Sequence, residues 1–272
     1  MITLVSVEQG NETRRFRGFA SYLSDTNGVR RAIEMMRPVV TQHPLIRIGG
    51  DGDGGYLVPD DLEGITACFS PGVSDSSDFE DDLVRRVPMP CFLADGSVDN
   101  LPLNNPLFTF DKVFIGTDKR DGYIPFADWV TTKVNLADHS DMLLQMDIEG
   151  AEFDAIIDTD ADIWKHFRII LIEFHFLDRI FARGFENIYA SLFAKLTKNH
   201  HVVHLHPNNC CGTLEHKGIE VPHVLEVTLI RKDRCTVQSQ YVTLPHPLDR
   251  DNVATNPTLT MSDIWLRPSA TE

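Results

Sequence analysis

Leu143-Leu144-Gln145-Met146-Asp147-Ile148-Glu149-Gly150-Ala151-Glu152 reads as an apolar strand that runs into two acids and turns at a glycine into a helix. In an open α/β sheet, ligands bind in the crevice outside the carboxyl ends of the strands. Acids at that end of a strand are therefore placed to meet a ligand. Capping offers a plainer account: Asp147 caps the helix starting near Gly150, while Glu149 and Glu152 favour its positive end. That account covers one acid and leaves the other two unexplained.

Working outward, apolar runs predict strands over residues 65–70, 91–95, 112–116, 142–148, 168–176, 201–206 and 224–231. The run at 168–176 is nearly continuous in Ile, Leu and Phe, as a strand buried on both faces requires. Between the strands lie helical patterns. Ser77 precedes a segment with Asp78, Glu80 and Asp81 first and Arg85 and Arg86 last, complementing a helix dipole at both ends. Further helices are expected near 126–130 and over 151–157. Phe185, Ile188, Tyr189, Leu192, Phe193 and Leu196 mark an amphipathic helix. Seven strands with interleaved helices predict a doubly wound α/β sheet. Residues 1–45 read as an N-terminal helical extension, with one stripe of Phe16, Phe19, Tyr22 and Leu23 and another of Val29, Ile33, Met36 and Val40. Such stripes usually pack a core; a cap over a cofactor or a dimer contact is the alternative. Residues 46–232 then form the core domain, and 233–272, rich in Pro and Asn, an extended segment on its surface.

Asp147-Ile148-Glu149-Gly150-Ala151-Glu152 resembles the signature of the FkbM-like S-adenosylmethionine-dependent methyltransferases. Arg47-Ile48-Gly49 with Asp53-Gly54-Gly55-Tyr56, Ser70-Pro71-Gly72-Val73 with Phe79-Glu80, and Glu173-Phe174-His175 fit the same family in the same order. The likeness runs from about Arg47 to Arg231. The loop Phe69-Ser70-Pro71-Gly72-Val73-Ser74 departs from the Asp-x-Gly-x-x-x-Gly cofactor loop of many relatives. The resemblance implies a class I methyltransferase, Rossmann-like, with strand order 3-2-1-4-5-7-6, S-adenosylmethionine as cofactor, and a hydroxyl of a sugar or sugar nucleotide as acceptor.

A cofactor of that kind must be gripped and the acceptor proton removed. Ser70 and Gly72 follow the first core strand, where glycine admits the close approach of a ligand to the backbone. Asp95 ends the second strand, where an acid can hold ribose hydroxyls; a turn with Gly96 explains it almost as well. The resemblance adds Asp53, Gly55 and Tyr56, and Glu149 of the acidic signature, to the cofactor contacts. For the chemistry the candidates are Asp147, Glu173, His175 and His206. Glu173 and His175 alternate on one strand and so face one way. In one mechanism His175 or His206 is the general base, oriented by Glu173 or Asp147. In the other, Asp147 and Glu173 with His175 or His206 hold Mn, Mg or another divalent ion that acidifies the acceptor. His204 is read as a core histidine, and the acids of 158–162 as a solvated turn.

Composition narrows the partners. Lys and Arg number 25 against 40 Asp and Glu, a formal charge of −15, which argues against nucleic acid and anionic lipid. With 42% hydrophobic residues the chain can bury a substantial core. Cys68, Cys91, Cys210, Cys211 and Cys235 show no Cys-x-x-Cys spacing and no disulfide framework, which fits a reducing cytoplasm. No basic-then-apolar leader and no membrane-length apolar run is present. Two rivals stand beside methyl transfer. Asp51-Gly52-Asp53 raises a metal-dependent nucleotide-sugar glycosyltransferase, although it precedes the first core strand instead of ending a later one. A non-catalytic binding module of the same fold is the other. The dimer-contact alternative for the N-terminal stripes would make the chain a homo-oligomer.

Overall fold

In the computed structural model, residues 2–9, 12–19 and 22–267 are described. Seven strands build the central sheet: β1 (Ala67–Pro71), β2 (Cys91–Ala94), β3 (Phe108–Asp111), β4 (Met142–Met146), β5 (Phe167–Phe174), β6 (His200–Pro207) and β7 (Leu225–Arg231). They lie in the order β6-β7-β5-β4-β1-β2-β3. Read from the other edge this is 3-2-1-4-5-7-6, the order the resemblance implies. The first five strands run parallel, and β7 is antiparallel to both β5 and β6. Chain direction across the sheet reverses between β1 and β4. Such a switch point opens a crevice at the strand ends.

Every residue of β1, β4 and β5 is buried, which is why these strands read as nearly continuous apolar runs. Alternation divides their side chains between two cores. Leu144, Ile170 and Ile172 join Phe126, Trp129, Trp164 and Phe193 on one face. Leu143, Ile169 and Leu171 join Ile48, Phe79 and Leu83 on the other.

The helices are α1 (Thr26–Glu34), α2 (Asp78–Arg86), α3 (Phe126–Lys133), α4 (Glu152–Asp158), α5 (Ala161–Trp164) and α6 (Phe185–Thr197). In α2 the charge asymmetry is used as expected, with Arg85 and Arg86 paired to Asp81 and Asp82 one turn back. Ser77 holds the N-cap position but makes no capping bond; its hydroxyl is buried without a partner.

Two expectations need correction. The N-terminal extension is not helical throughout: Ile2–Gln9 and Glu12–Phe19 are strands paired antiparallel with Gln9 opposite Glu12. Ile-Thr-Leu-Val-Ser-Val is rich in β-branched residues, and Gly10-Asn11 is hairpin-turn composition, so local β preference outweighs the Phe16–Phe19 spacing. Only the second stripe is helical: Val29 and Ile33 lie buried in α1, with Met36 just beyond it. The third core strand is β3, not residues 112–116. Val113-Phe114-Ile115 is the more apolar run, yet Phe114–Gly116 pairs with Tyr123–Pro125 in a separate two-stranded sheet. As an edge strand, β3 is largely half-buried, so Phe108-Thr109-Phe110-Asp111 carries a weaker apolar signal.

Beyond β7 the chain runs to a buried Trp265, whose indole N–H donates to the Glu220 carbonyl at 3.0 Å. Cys210 and Cys211, adjacent in the turn after β6, are joined as a disulfide, contrary to the expectation of free thiols; Cys68, Cys91 and Cys235 are free. Adjacency in sequence, not a spacing pattern, brings those two sulfurs together. Among the described residues no helix is long and apolar enough to cross a membrane.

Candidate active site

β1, β2 and β4 end at one edge, and backbone bonds knit the loops that follow. The Asp147 N–H donates to the Pro71 carbonyl at 3.1 Å, and the Gly72 N–H to the Ala94 carbonyl at 2.8 Å. Gly72 has φ +91°, and a Cβ there would fall 1.4 Å from the Asp147 carbonyl oxygen. Only glycine lets these two loops approach so closely.

This edge borders a cavity of about 590 Å³. Of the residues expected to bind a cofactor, Asp53, Tyr56, Gly72, Asp95 and Glu149 line it, together with Asp147. Phe114, Ile115 and Tyr123 supply an aromatic and aliphatic wall. Among the described residues the lining holds Asp53, Asp75, Asp78, Glu80, Asp95, Asp147 and Glu149, and no Lys, Arg or His. Asp95 does serve the turn beside Gly96, accepting from the Ser97 N–H at 2.7 Å and hydroxyl at 2.6 Å, and also from the Ser74 N–H at 2.9 Å. It still faces the cavity.

Gly55 and Ser70 do not line it. Gly55 packs beneath its own loop, where a Cβ would strike the Gly50 carbonyl. Ser70 belongs to a buried polar chain. Its hydroxyl touches a Glu80 oxygen and lies 2.6 Å from Gln145 Oε1. One hydroxyl proton cannot serve both oxygens. Burial pushes the Glu80 carboxyl up to about 7, so a protonated Glu80 donates to Ser70 and Ser70 donates to Gln145. The Gln145 amide then donates to Tyr56 Oη at 3.3 Å, and the Tyr56 hydroxyl to Glu173 Oε2 at 3.4 Å. Asn208 completes the chain, donating to Glu173 Oε1 at 2.8 Å.

Glu173 therefore lies behind Tyr56, outside the cavity lining. Burial, then the charges of Asp147 and Glu226, drive its carboxyl well above the usual range. Glu173 pairs in register with Glu226, and Glu226 with His206. This row separates His206 from Asp147 by two strands. His206 opens instead on a second cavity of about 220 Å³, shared with Asp249 and Arg250. Its Nδ1 is 3.8 Å from Asp249, and its Nε2 is 3.2 Å from Asn252 Oδ1. The four candidates for chemistry thus do not share one pocket: Asp147 and His175 meet, while Glu173 and His206 lie elsewhere. His204 is buried beside the same Asp249, at 2.9 Å.

β5 ends at Phe174, so strand alternation no longer governs His175. Its Nδ1 lies 3.1 Å from Glu152 Oε1. Glu152 is fully buried and also accepts from the Ile148 N–H at 3.0 Å and the Gly150 N–H at 3.1 Å, which pins the acidic loop. Nε2 of His175 points the other way, 3.8 Å from Asp147 Oδ1 and 3.4 Å from Glu149 Oε2. Those three atoms lie within 4.8 Å of one another. Glu149 thus takes the place expected for Glu173 in the carboxylate–imidazole group. Burial, reinforced by Glu149, Glu152 and Asp53, pushes the Asp147 carboxyl up to about 7 against the pull of His175. Burial opposes charge on His175, but Glu152, Asp147 and Glu149 outweigh it and raise its pKa.

Gln145 and Glu226 carry no role in the sequence reading, and Glu80 enters it only within the Phe79-Glu80 motif and as a first-turn acid of its helix. A signal for Gln145 existed: one amide in the apolar run Leu143-Leu144-Gln145-Met146 has to be hydrogen-bonded if that strand is buried. Glu226 looks like an ordinary strand surface position, and nothing local marks Glu80 as buried.

No curated protein matches the chain. Residues 128–207 match the family model described as the methyltransferase FkbM domain. That span runs from α3 into β6 and contains Asp147, Glu149, Glu173 and His175. The strand order, the crevice at its switch point and this match are consistent with an FkbM-like methyltransferase.

Proposed function

We propose that the protein transfers a methyl group from S-adenosylmethionine to a hydroxyl, with a sugar as acceptor. The observation that carries this reading is the cavity itself. It stands at the ends of β1, β2 and β4, with Gly72 clearing space against the Asp147 backbone and Asp95 at the end of β2. The residues present suit the cofactor. Asp95 is placed for ribose hydroxyls, Phe114 and Ile115 offer an apolar wall for a purine, and the acidic lining favours a sulfonium. When bound, the cofactor supplies an electrophilic methyl group. The chain's own residues orient the acceptor and take up its proton at the corner formed by Asp147 and His175.

Between the acceptor forms, a free sugar or glycoside suits the lining better than a sugar nucleotide, whose phosphates would face carboxylates with no basic side chain among them. The same argument weighs against nucleotide-sugar glycosyl transfer; of Asp51 and Asp53, only Asp53 reaches the cavity. The partly buried pair of Asp147 and His175 at the edge of a cavity weighs against a merely structural module. A cytoplasmic setting is part of this proposal; the lack of a disulfide framework in the cysteine spacing supports it, and the Cys210–Cys211 bond stands against it.

Calorimetric titration with S-adenosylhomocysteine tests the reading. Binding that weakens in Asp95→Ala and is lost in Gly72→Ala is expected. Absence of binding to the unmodified protein overturns it.

A further inference from the structure

We propose that Asp147, Glu149 and His175 form a divalent-cation site at the edge of the cavity. The site deepens the methyl-transfer reading, which alone gives the cation its use. Its existence is a separate matter of side-chain geometry.

Three arguments carry it. The first is spacing. Bonds of about 2.1 Å to a first-row ion put neighbouring donors roughly 3.0 Å apart in an octahedron and roughly 3.4 Å apart in a tetrahedron. The imidazole Nε2 stands 3.4 Å from Glu149 Oε2 and 3.8 Å from Asp147 Oδ1, so small side-chain shifts suffice. Glu149 can make them, because its side chain is 85% exposed.

The second is an unmet need. The Asp147 side chain is partly buried, yet its Oδ1 is closed to solvent and accepts no hydrogen bond among the described residues. A buried carboxylate oxygen without a partner is costly, and a cation at this position removes the cost.

The third is orientation. Glu152 holds Nδ1 of His175, which leaves Nε2 as the atom presented to the two carboxylates. Metal-bound histidines commonly donate their other ring N–H to a carboxylate, which sets tautomer and ring direction. Glu152 is itself fixed by two backbone N–H groups and does not approach the cavity, so it acts as a positioning residue.

Two carboxylate oxygens and one imidazole nitrogen suit Mn²⁺ or a neighbouring first-row ion better than Ca²⁺. Three protein donors leave positions open for water or an acceptor hydroxyl, whose proton the ion then acidifies. Asp147 is common to both the cavity lining and this trio, which places the ion beside the acceptor.

The test uses the full chain, stripped with a chelator that is then removed, and titrated with Mn²⁺ under electron paramagnetic resonance. One bound ion per chain is expected, with imidazole-nitrogen modulation of its spin echo. Glu149→Gln should weaken binding by at least about tenfold, and His175→Ala should do the same and abolish the modulation. Glu149 is surface-exposed, so its variant should fold even if His175→Ala does not. A triple change of Asp158, Asp160 and Asp162 to Asn removes an acidic turn elsewhere and should leave binding unchanged. No stoichiometric Mn²⁺ binding, or binding indifferent to Glu149→Gln, overturns the site. S-adenosylhomocysteine binding measured on the same preparation separates the two readings. Nucleoside binding without Mn²⁺ binding defeats the cation alone, and Mn²⁺ binding without nucleoside binding defeats the methyl-transfer assignment alone.

Discussion

Replacing Gly72 by alanine should separate steric closure of the cavity loops from ordinary backbone strain. Two costs are combined at this position. The first is conformational: at φ +91° an L-residue is disfavoured by roughly 1–2 kcal/mol. The second is a collision. The new Cβ would fall 1.4 Å from the Asp147 carbonyl oxygen and 2.4 Å from its carbon, both backbone atoms. Ordinary carbon–oxygen contact needs more than 3 Å, so one loop must retreat by well over an ångström. The bonds from Asp147 to Pro71 and from Gly72 to Ala94 then stretch or break, at about 1 kcal/mol each. With overpacking of about 1–3 kcal/mol, the total is roughly 4–7 kcal/mol. A domain stable by about 5–15 kcal/mol is left marginal. Gly54→Ala is the control: its φ is +72°, but nothing lies within 4 Å of the added Cβ, so only the conformational cost applies. Urea unfolding of both variants measures the difference, expected at about 3 kcal/mol or more. Equal losses in the two variants would refute the steric argument, as would unchanged nucleoside affinity in Gly72→Ala.

Other consequences are testable in the same way. Glu80 binds its proton more tightly folded than unfolded, with a pKa near 7 against 4.5, so its contribution is complete below pH 4.5 and lost as pH rises through 7. That window is worth about 3 kcal/mol; Glu80→Gln, which keeps a donor for Ser70, should flatten it in unfolding measured from pH 4.5 to 8. Trp164 stacks on Phe126 with ring centres 5.3 Å apart, both fully buried. Trp164→Ala should cost about 3–5 kcal/mol. Trp164→Phe should cost markedly less in thermal unfolding, since it also removes an indole N–H that has no partner among the described residues. Asn209 accepts from the Val253 N–H at 2.8 Å and donates to the Val253 carbonyl at 3.0 Å, clasping the C-terminal segment. Asn209→Ala should lower stability by about 1–3 kcal/mol and open cleavage near residue 253 to limited proteolysis, with far slower cleavage in the parent.

The legible parts of this protein were those written in local pattern. β1, β4 and β5 are legible because a strand buried on both faces must be apolar at most of its positions. The helices α2, α4 and α6 were readable from end charges and spacing. Where local preference was divided, the reading slipped. Residues 12–19 carry an apolar spacing compatible with a helix and form a strand. Val113-Phe114-Ile115 looks more like a core strand than β3 does, because an edge strand has less to bury.

The site shows the same division. Chain order alone placed Asp147 and Glu149 at the end of β4 and Asp95 after β2, since a residue's position along a strand decides which edge of a parallel sheet it reaches. Which groups touch was settled by the packing of elements distant in sequence. Glu173 is claimed by Tyr56 and Asn208, 117 and 35 residues away, and His206 by Asp249 and Asn252. Glu149 reaches His175 because the turn after β4 meets the chain leaving β5. Alternation predicts the direction of a side chain only while its strand continues, and β5 stops one residue before His175.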